Sequence, residues 1–235
     1  MLEVRNLHSH YGDAHILRGV SLDVPAQRIV ALLGRNGMGK TTLIRSIMNF
    51  AQPRVTAGSV RYRGKELCGL APHAIARERI GLVPQGRRLF SSLTVTEHLT
   101  MVESRGADRD GWTVPRIFEM FPRLGERRHH RGSQLSGGER QMLAVARALM
   151  LNPTLLLMDE PSEGLAPVMV QHLEDIIARL KQTGLAILLV EQNLYSALAV
   201  ADEVYIIETG TIVWHGSAAM LRGDRDTMHR FLGVK

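Results

Sequence analysis

Apolar and polar positions alternate through residues 2–7 (LEVRNL), as they do on a strand with one buried face. Ile16 to Val24 reads as a second strand, stopped by Pro25. Ile29 to Leu33 is apolar throughout, the pattern of a strand covered on both faces. A loop-like stretch from Ala51 to Ala57 follows, then alternation from Gly58 to Arg63 and a turn at Gly64-Lys65. Pro72 opens a helix toward Arg79, and Ile80 to Val83 is a short buried strand halted at Pro84-Gln85. From Gly86 to Arg131 strand signals vanish and charge rises, with helical spacing around Val95–Val102 and Val114–Phe121. Ser136 then starts a clear helix, with Met142, Val145, Ala146 and Leu149 on one face and Asn152-Pro153 as its stop. Leu155 to Met158 and Leu185 to Val190 are two more buried strands. Between them Pro167 to Lys181 is amphipathic, with Met169, Leu173, Ile176, Ile177 and Leu180 sharing a face. The turn Glu208-Thr209-Gly210 joins Val204–Ile207 to Ile212–Trp214 in a hairpin, and two short helices finish the chain.

Buried strands that alternate with helices predict an α/β fold with a mostly parallel sheet covered on both sides. The early alternating strands predict a small antiparallel sheet beside it. No repeat, low-complexity tract or long linker divides the chain. It reads as one domain over 1–235, with a core from 1–85 and 151–235 and an inserted helical subdomain over 86–150.

Candidate chemistry begins where the Ile29–Leu33 run breaks. Gly34-Arg35-Asn36-Gly37-Met38-Gly39-Lys40-Thr41 is G-x-x-x-x-G-K-T, the P-loop pattern, set between a buried strand and a helix start. Glycines allow positive φ and let several backbone N–H groups surround one anion. The helix from Lys40 adds its positive dipole end. Lys40 supplies a point charge for the β- and γ-phosphates, and Thr41 a hydroxyl for magnesium.

Leu155-Leu156-Leu157-Met158-Asp159-Glu160 ends an apolar strand in two carboxylates. Ligands of parallel sheets sit at the carboxyl ends of strands, so Asp159 belongs beside the P-loop as a magnesium ligand. Glu160 is expected to point the other way along the pleat, placed to polarise a water for in-line attack on the γ-phosphate. Leu135 to Gln141, LSGGERQ, has the S-x-x-E capping-box form. Gly137 and Gly138 also bare the helix N-terminus to an anion. Lying in a helical insert, this motif suits a partner's nucleotide better than the chain's own.

Composition narrows the class. No apolar run approaches the roughly 20 residues of a membrane span. The N-terminus carries no signal pattern, so a soluble cytoplasmic protein is expected. A single cysteine, Cys68, excludes an internal disulfide framework. The net charge of +6 suits nucleotide phosphates, anionic lipid or nucleic acid. Aromatics make up only 5%, without the interleaved basic–aromatic stripe that stacks single strands, and charge alone does not choose among these partners.

GRNGMGKT, LSGGERQ and LLLMDE, in that order, resemble the ATP-binding-cassette (ABC) family over essentially the whole chain. The resemblance implies a RecA-like P-loop NTPase core and a head-to-tail dimer that holds two ATP molecules with Mg2+. Each nucleotide would lie between one subunit's P-loop (Gly34, Asn36, Gly37, Gly39, Lys40, Thr41, Thr42) and the other's Ser136, Gly137 and Gly138. Tyr11 matches the aromatic that stacks on adenine. Gln85 matches the glutamine that joins core to insert and reaches magnesium and the attacking water. Two positions depart from the family. Ala166 stands where an aspartate is usual, and Gln192 where a histidine normally contacts the γ-phosphate. A glutamine can donate a hydrogen bond but cannot become cationic.

PQGRRLF, EMFPRL, DEPSEGLAP and LVEQN are similar to the shorter of the two ATP subunits of branched-chain amino acid importers. Relatives that import urea or short amides share much of this pattern. The rival reading is a soluble cassette ATPase acting on nucleic acid or the ribosome. Such proteins usually carry two cassettes or long coiled-coil insertions, which this chain lacks, so no nucleic-acid partner is expected. The resemblance implies a second ATPase subunit, two integral membrane permease subunits and, indirectly, a periplasmic solute-binding protein. The place would be peripheral, on the cytoplasmic face of the inner membrane. A groove with Arg87, Arg88, Leu89 and Phe90 would grip a helix of the permease.

Overall fold

The computed structural model describes residues 1–102 and 111–233. Strands β1 (Leu2–Tyr11) and β2 (Ala14–Val24) pair antiparallel from Leu2↔Val24 to Tyr11↔Ala14. β3 (Ile29–Leu33) is buried at every residue and leads through the glycine loop into α1 (Lys40–Ile47). β4 (Arg54–Tyr62) and β5 (Lys65–Glu66) complete a four-stranded antiparallel sheet in the order β2-β1-β4-β5. β4 begins at Arg54 rather than near Gly58. The pairs Ser9↔Val55 and His10↔Arg54 carry the ladder past the alternating residues, a long-range effect that local pattern does not encode.

α2 (Pro72–Arg77) precedes β6 (Ile80–Val83). Among the described residues, four α-helices follow before the next strand: α3 (Val95–Thr100), α4 (Val114–Met120), α5 (Pro122–Glu126) and α6 (Gly137–Leu149). Then come β7 (Leu155–Asp159), α7 (Pro167–Gln182), β8 (Ala186–Glu191) and α8 (Leu194–Val200). β9 (Glu203–Glu208), β10 (Thr211–Ser217) and α9 (Ala218–Gly223) close the fold, with further helical turns to Leu232. The α8 helix escapes the periodicity reading. Seven residues are too few to register a helical period; the Asn193 side chain caps it by accepting from the Ser196 N–H.

The second sheet runs β10-β9-β3-β8-β7-β6, parallel throughout except for β10. This is the predicted mostly parallel α/β core with an N-terminal antiparallel sheet. The pleat decides what each side chain meets. Leu155, Leu157, Leu188 and Val190 face α1 and the antiparallel sheet. Leu156, Met158, Ile187 and Leu189 face α6 and α7. Burial of each such side chain contributes roughly 1.5–3 kcal/mol. The strands therefore cannot shift by one residue without exchanging their faces. This locked register delivers the carboxyl ends of β3, β6, β7 and β8 to one edge of the sheet.

Candidate nucleotide site

At that edge the two outer glycine-loop positions do different work. A Cβ on Gly34 would stand 2.6 Å from the Ile207 carbonyl oxygen on β9, so only glycine lets the loop leave the sheet there. Gly37 has open space around it but a φ of 81°, and Gly39, the residue before α1, a φ of 106°. Those angles favour glycine on backbone grounds. The loop curls over Lys40, which is 3% exposed. Its Nζ donates to the Gly34 carbonyl at 2.8 Å and the Arg35 carbonyl at 3.1 Å. Nζ also lies 2.9 Å from Glu160 Oε1.

The paired acids both reach this loop. The Thr41 hydroxyl donates to Asp159 Oδ1 at 3.0 Å. Burial pushes the Asp159 pKa up to about 6, against the Thr41 hydrogen bond and the charge of Lys40. Glu160 does not point away, as strand alternation predicts. It lies one residue beyond β7 with a φ of 47°, and this left-handed twist swings its carboxylate to Lys40. The other oxygen, Oε2, accepts from Gln85 Nε2 at 3.2 Å, and the same amide donates to Glu163 at 2.9 Å. Gln85, just past β6, thus touches the second acid and the loop behind it.

Tyr11, Ile16, Gly37, Gly39, Lys40, Thr41, Thr42 and Glu160 line a cleft of about 200 Å³. A second cleft of about 170 Å³ on the far side of Thr41 includes Gln85, Arg88 and Asp159. Asn36 is exposed at the crest of the loop. Gln192 is exposed past β8 and shares a third cleft with Glu160, Glu163 and Gly164. Ser136, Gly137 and Gly138 line none of these clefts. Ser136 caps α6 through the predicted reciprocal box with Glu139 and is exposed, whereas Gly138 is buried. A Cβ on Gly138 would lie 2.5 Å from Met169 Cε of α7. Gly138 is therefore less bare than the sequence implies.

Two residues at this edge differ from what the sequence implies: Glu191 belongs to no motif, and Arg87 is expected in a groove for a permease helix. Arg87 turns inward: its Nη2 donates to the Glu163 carbonyl at 2.6 Å, and its Nη1 lies 2.9 Å from where a Gly137 Cβ would be. Leu89 packs into the helical core, while Arg88 and Phe90 stay exposed. Glu191, the last residue of β8, is 2% exposed. Its Oε1 accepts from the Ser162 N–H at 2.9 Å and its Oε2 from the Gln192 N–H at 3.2 Å. Burial raises its pKa, and hydrogen bonds from Ser162, Asn193 and Gln192 pull the other way. The available signal was an acid ending an otherwise apolar strand.

A glycine loop over a buried lysine, a threonine bonded to the first acid and a second acid on that lysine define a P-loop nucleoside-triphosphate hydrolase. Residues 17–163 match the ABC transporter family, and the chain belongs to that family of ATPases. It is 44% identical over 235 residues to the high-affinity branched-chain amino acid transport ATP-binding protein BraG of Pseudomonas aeruginosa, covering 99% of this chain and 100% of BraG. It is 36% identical to the probable branched-chain amino acid transport ATP-binding protein LivF of Archaeoglobus fulgidus, over 93% of this chain and 92% of LivF. Among solved structures, a nucleotide-free ATP-binding cassette from an ABC transporter superposes with a TM-score of 0.85 at 25% identity. That match covers 100% of this chain and 99% of the other.

The chain thus binds ATP and hydrolyses it. Among the described residues, no helix is long and apolar enough to cross a membrane.

Proposed function

We propose that this chain powers the uptake of branched-chain amino acids as an ATP-hydrolysing subunit of an importer. It would act at the cytoplasmic face of the inner membrane with a second ATPase subunit, two permease subunits and a periplasmic binding protein. The end-to-end match to BraG at 44% identity carries this reading.

In the proposed mechanism Tyr11 stacks on adenine. Backbone N–H groups from Gly34 to Thr42 surround the phosphates. The incoming γ-phosphate takes the Lys40 ammonium from the Gly34 and Arg35 carbonyls and from Glu160. Released from that ion pair, Glu160 accepts a proton from the attacking water as general base. Gln192 donates a hydrogen bond to the γ-phosphate.

The oxygen donors Thr41 and Asp159 fit a magnesium ion, for Asp159 is buried with its charge poorly compensated. With Gln85 they would hold Mg2+, which would neutralise phosphate charge when bound. Ser136, Gly137 and Gly138 cap the partner subunit's nucleotide, because they stand apart from this chain's own cleft. The described part of the helical insert, residues 86–102 and 111–150, moves with Gln85 when the dimer closes.

Reconstitution of the chain in lipid vesicles with its second ATPase, permeases and binding protein tests this reading. ATP-dependent leucine uptake that disappears with Glu160→Gln is expected. Uptake of urea or acetamide without leucine would overturn the assigned solute class.

A further inference from the structure

We propose that Glu191 is a positioning residue that holds the Glu160 carboxylate and the Gln192 turn in working register. The proposal rests on the reading of Glu160 as the general base. It starts from a backbone problem. Glu160 is not glycine, yet its φ is 47°. A left-handed conformation at such a residue costs on the order of 1 kcal/mol and persists only where its surroundings hold it. Inside the turn the Glu163 N–H donates to the Glu160 carbonyl at 3.2 Å, and two bonds to β8 hold the segment from outside, one on each side. The Glu160 N–H donates to the Val190 carbonyl at 2.9 Å. Two residues on, the Ser162 N–H donates to Glu191 Oε1 at 2.9 Å. Both acceptors belong to the last two residues of β8. The first is backbone and survives any substitution. The second is a side chain and can be removed.

The same carboxylate spends its other oxygen on the Gln192 N–H at 3.2 Å. One buried group therefore ties the segment after the base to the turn that carries Gln192. No salt bridge to it is found among the described residues, and its hydrogen bonds from Ser162, Gln192 and Asn193 all come from these two segments. A carboxylate with only acceptor oxygens suits two facing N–H donors, and burial strengthens both bonds. A glutamine of the same shape would set its own amide hydrogens against one of them.

Misplacement of a base by about 1 Å can cost roughly a hundredfold in rate. Glu191→Gln and Glu191→Ala should therefore lower kcat by about tenfold to a hundredfold. The KM for ATP and the affinity for a non-hydrolysable ATP analogue should stay within about twofold, because Lys40 and the glycine loop are untouched. Both variants, Glu160→Gln and the double variant Glu160→Gln/Glu191→Gln would be measured in the full chain assembled with its partners, with melting temperatures alongside. The double variant should turn over no more slowly than Glu160→Gln alone.

Unchanged kcat in both Glu191 variants, with Glu160→Gln inactive, overturns the positioning role and leaves the base assignment standing. So does a loss of kcat matched by an equal loss of nucleotide affinity, even in the isosteric Glu191→Gln. Normal turnover by Glu160→Gln overturns the base assignment itself.

Discussion

Lys40 Nζ and Glu160 Oε1 form an ion pair 2.9 Å long between side chains only 3% and 9% exposed. The lysine that we propose for phosphate binding and the second acid thus neutralise each other. Loss of one member of a buried pair strands the other, at about 3–5 kcal/mol. Lys40→Ala should lower the melting temperature and abolish ATP binding. Glu160→Gln frees Lys40 from a competitor. It should bind ATP at least as tightly as the natural chain while turnover falls by a factor of about a hundred or more. Equilibrium binding of a fluorescent ATP analogue together with phosphate release separates the two effects; weaker binding by Glu160→Gln would contradict the competition.

Asp159 supplies a pH-dependent test. Burial lifts its pKa to about 6, from an ordinary value of 3.8. The folded chain therefore binds this proton more tightly than the unfolded chain does. The sign follows: its ionisation costs stability above pH 6, and the cost fades as pH falls from about 6 toward 3.8. A shift of this size corresponds to at most about 3 kcal/mol. Asp159→Asn should raise the melting temperature of the nucleotide-free protein at pH 8 and raise it less at pH 5. An equal gain at both values would show that burial of the charge is not the cause. The variant should also lose magnesium-dependent turnover.

Much of this site was legible because its local sequence and its tertiary setting agree. β3, β6 and β7 are bounded by their apolar runs, and the Gly34–Thr41 loop follows β3 in the context its pattern requires. The Ser136–Glu139 box marks the start of α6 in the sequence itself. What stayed hidden depends on partners distant in sequence. The twist at Glu160 is held by β8, and strand alternation could not anticipate it. Arg87 looked like an outward basic residue, yet it folds onto Glu163 and Gly137. Glu191 looked like an unremarked neighbour of Gln192, because nothing local says that Ser162 will donate to it.

Gln192 stands in an open cleft with its side chain exposed. Replacement there has little packing to disturb. Gln192→His puts a group that can become cationic where we propose the γ-phosphate lies. ATP turnover should hold or rise, with the melting temperature unchanged. A large fall in turnover would mean that the glutamine is tuned to this site in a way that a histidine cannot reproduce.

The loop glycines should fail in different ways. Gly34→Ala forces a methyl against the Ile207 backbone oxygen, which cannot step aside without moving β9. Its cost should exceed about 2 kcal/mol, in the range of overpacked sites. Gly37→Ala meets no atom within 4 Å and pays only for its φ of 81°. That cost should be about 1 kcal/mol. Chemical denaturation of the nucleotide-free chain measures both; equal destabilisation would refute the steric role assigned to Gly34.

Gly138 allows packing and ligand contact to be told apart. Its missing Cβ leaves room for Met169, whose terminal methyl would otherwise lie 2.5 Å away. Gly138→Ala should therefore destabilise the chain by about 1–3 kcal/mol, and Met169→Ala in the same molecule should recover most of that loss by vacating the space. A glycine needed only for packing would regain ATPase activity along with stability. A glycine that must also let a partner's phosphate approach the α6 N-terminus would not, since the new methyl still covers the backbone. Recovery of the melting temperature without recovery of turnover in the assembled transporter is the expected result. Recovery of both would reduce this position to a helix-packing site and remove it from the nucleotide pocket.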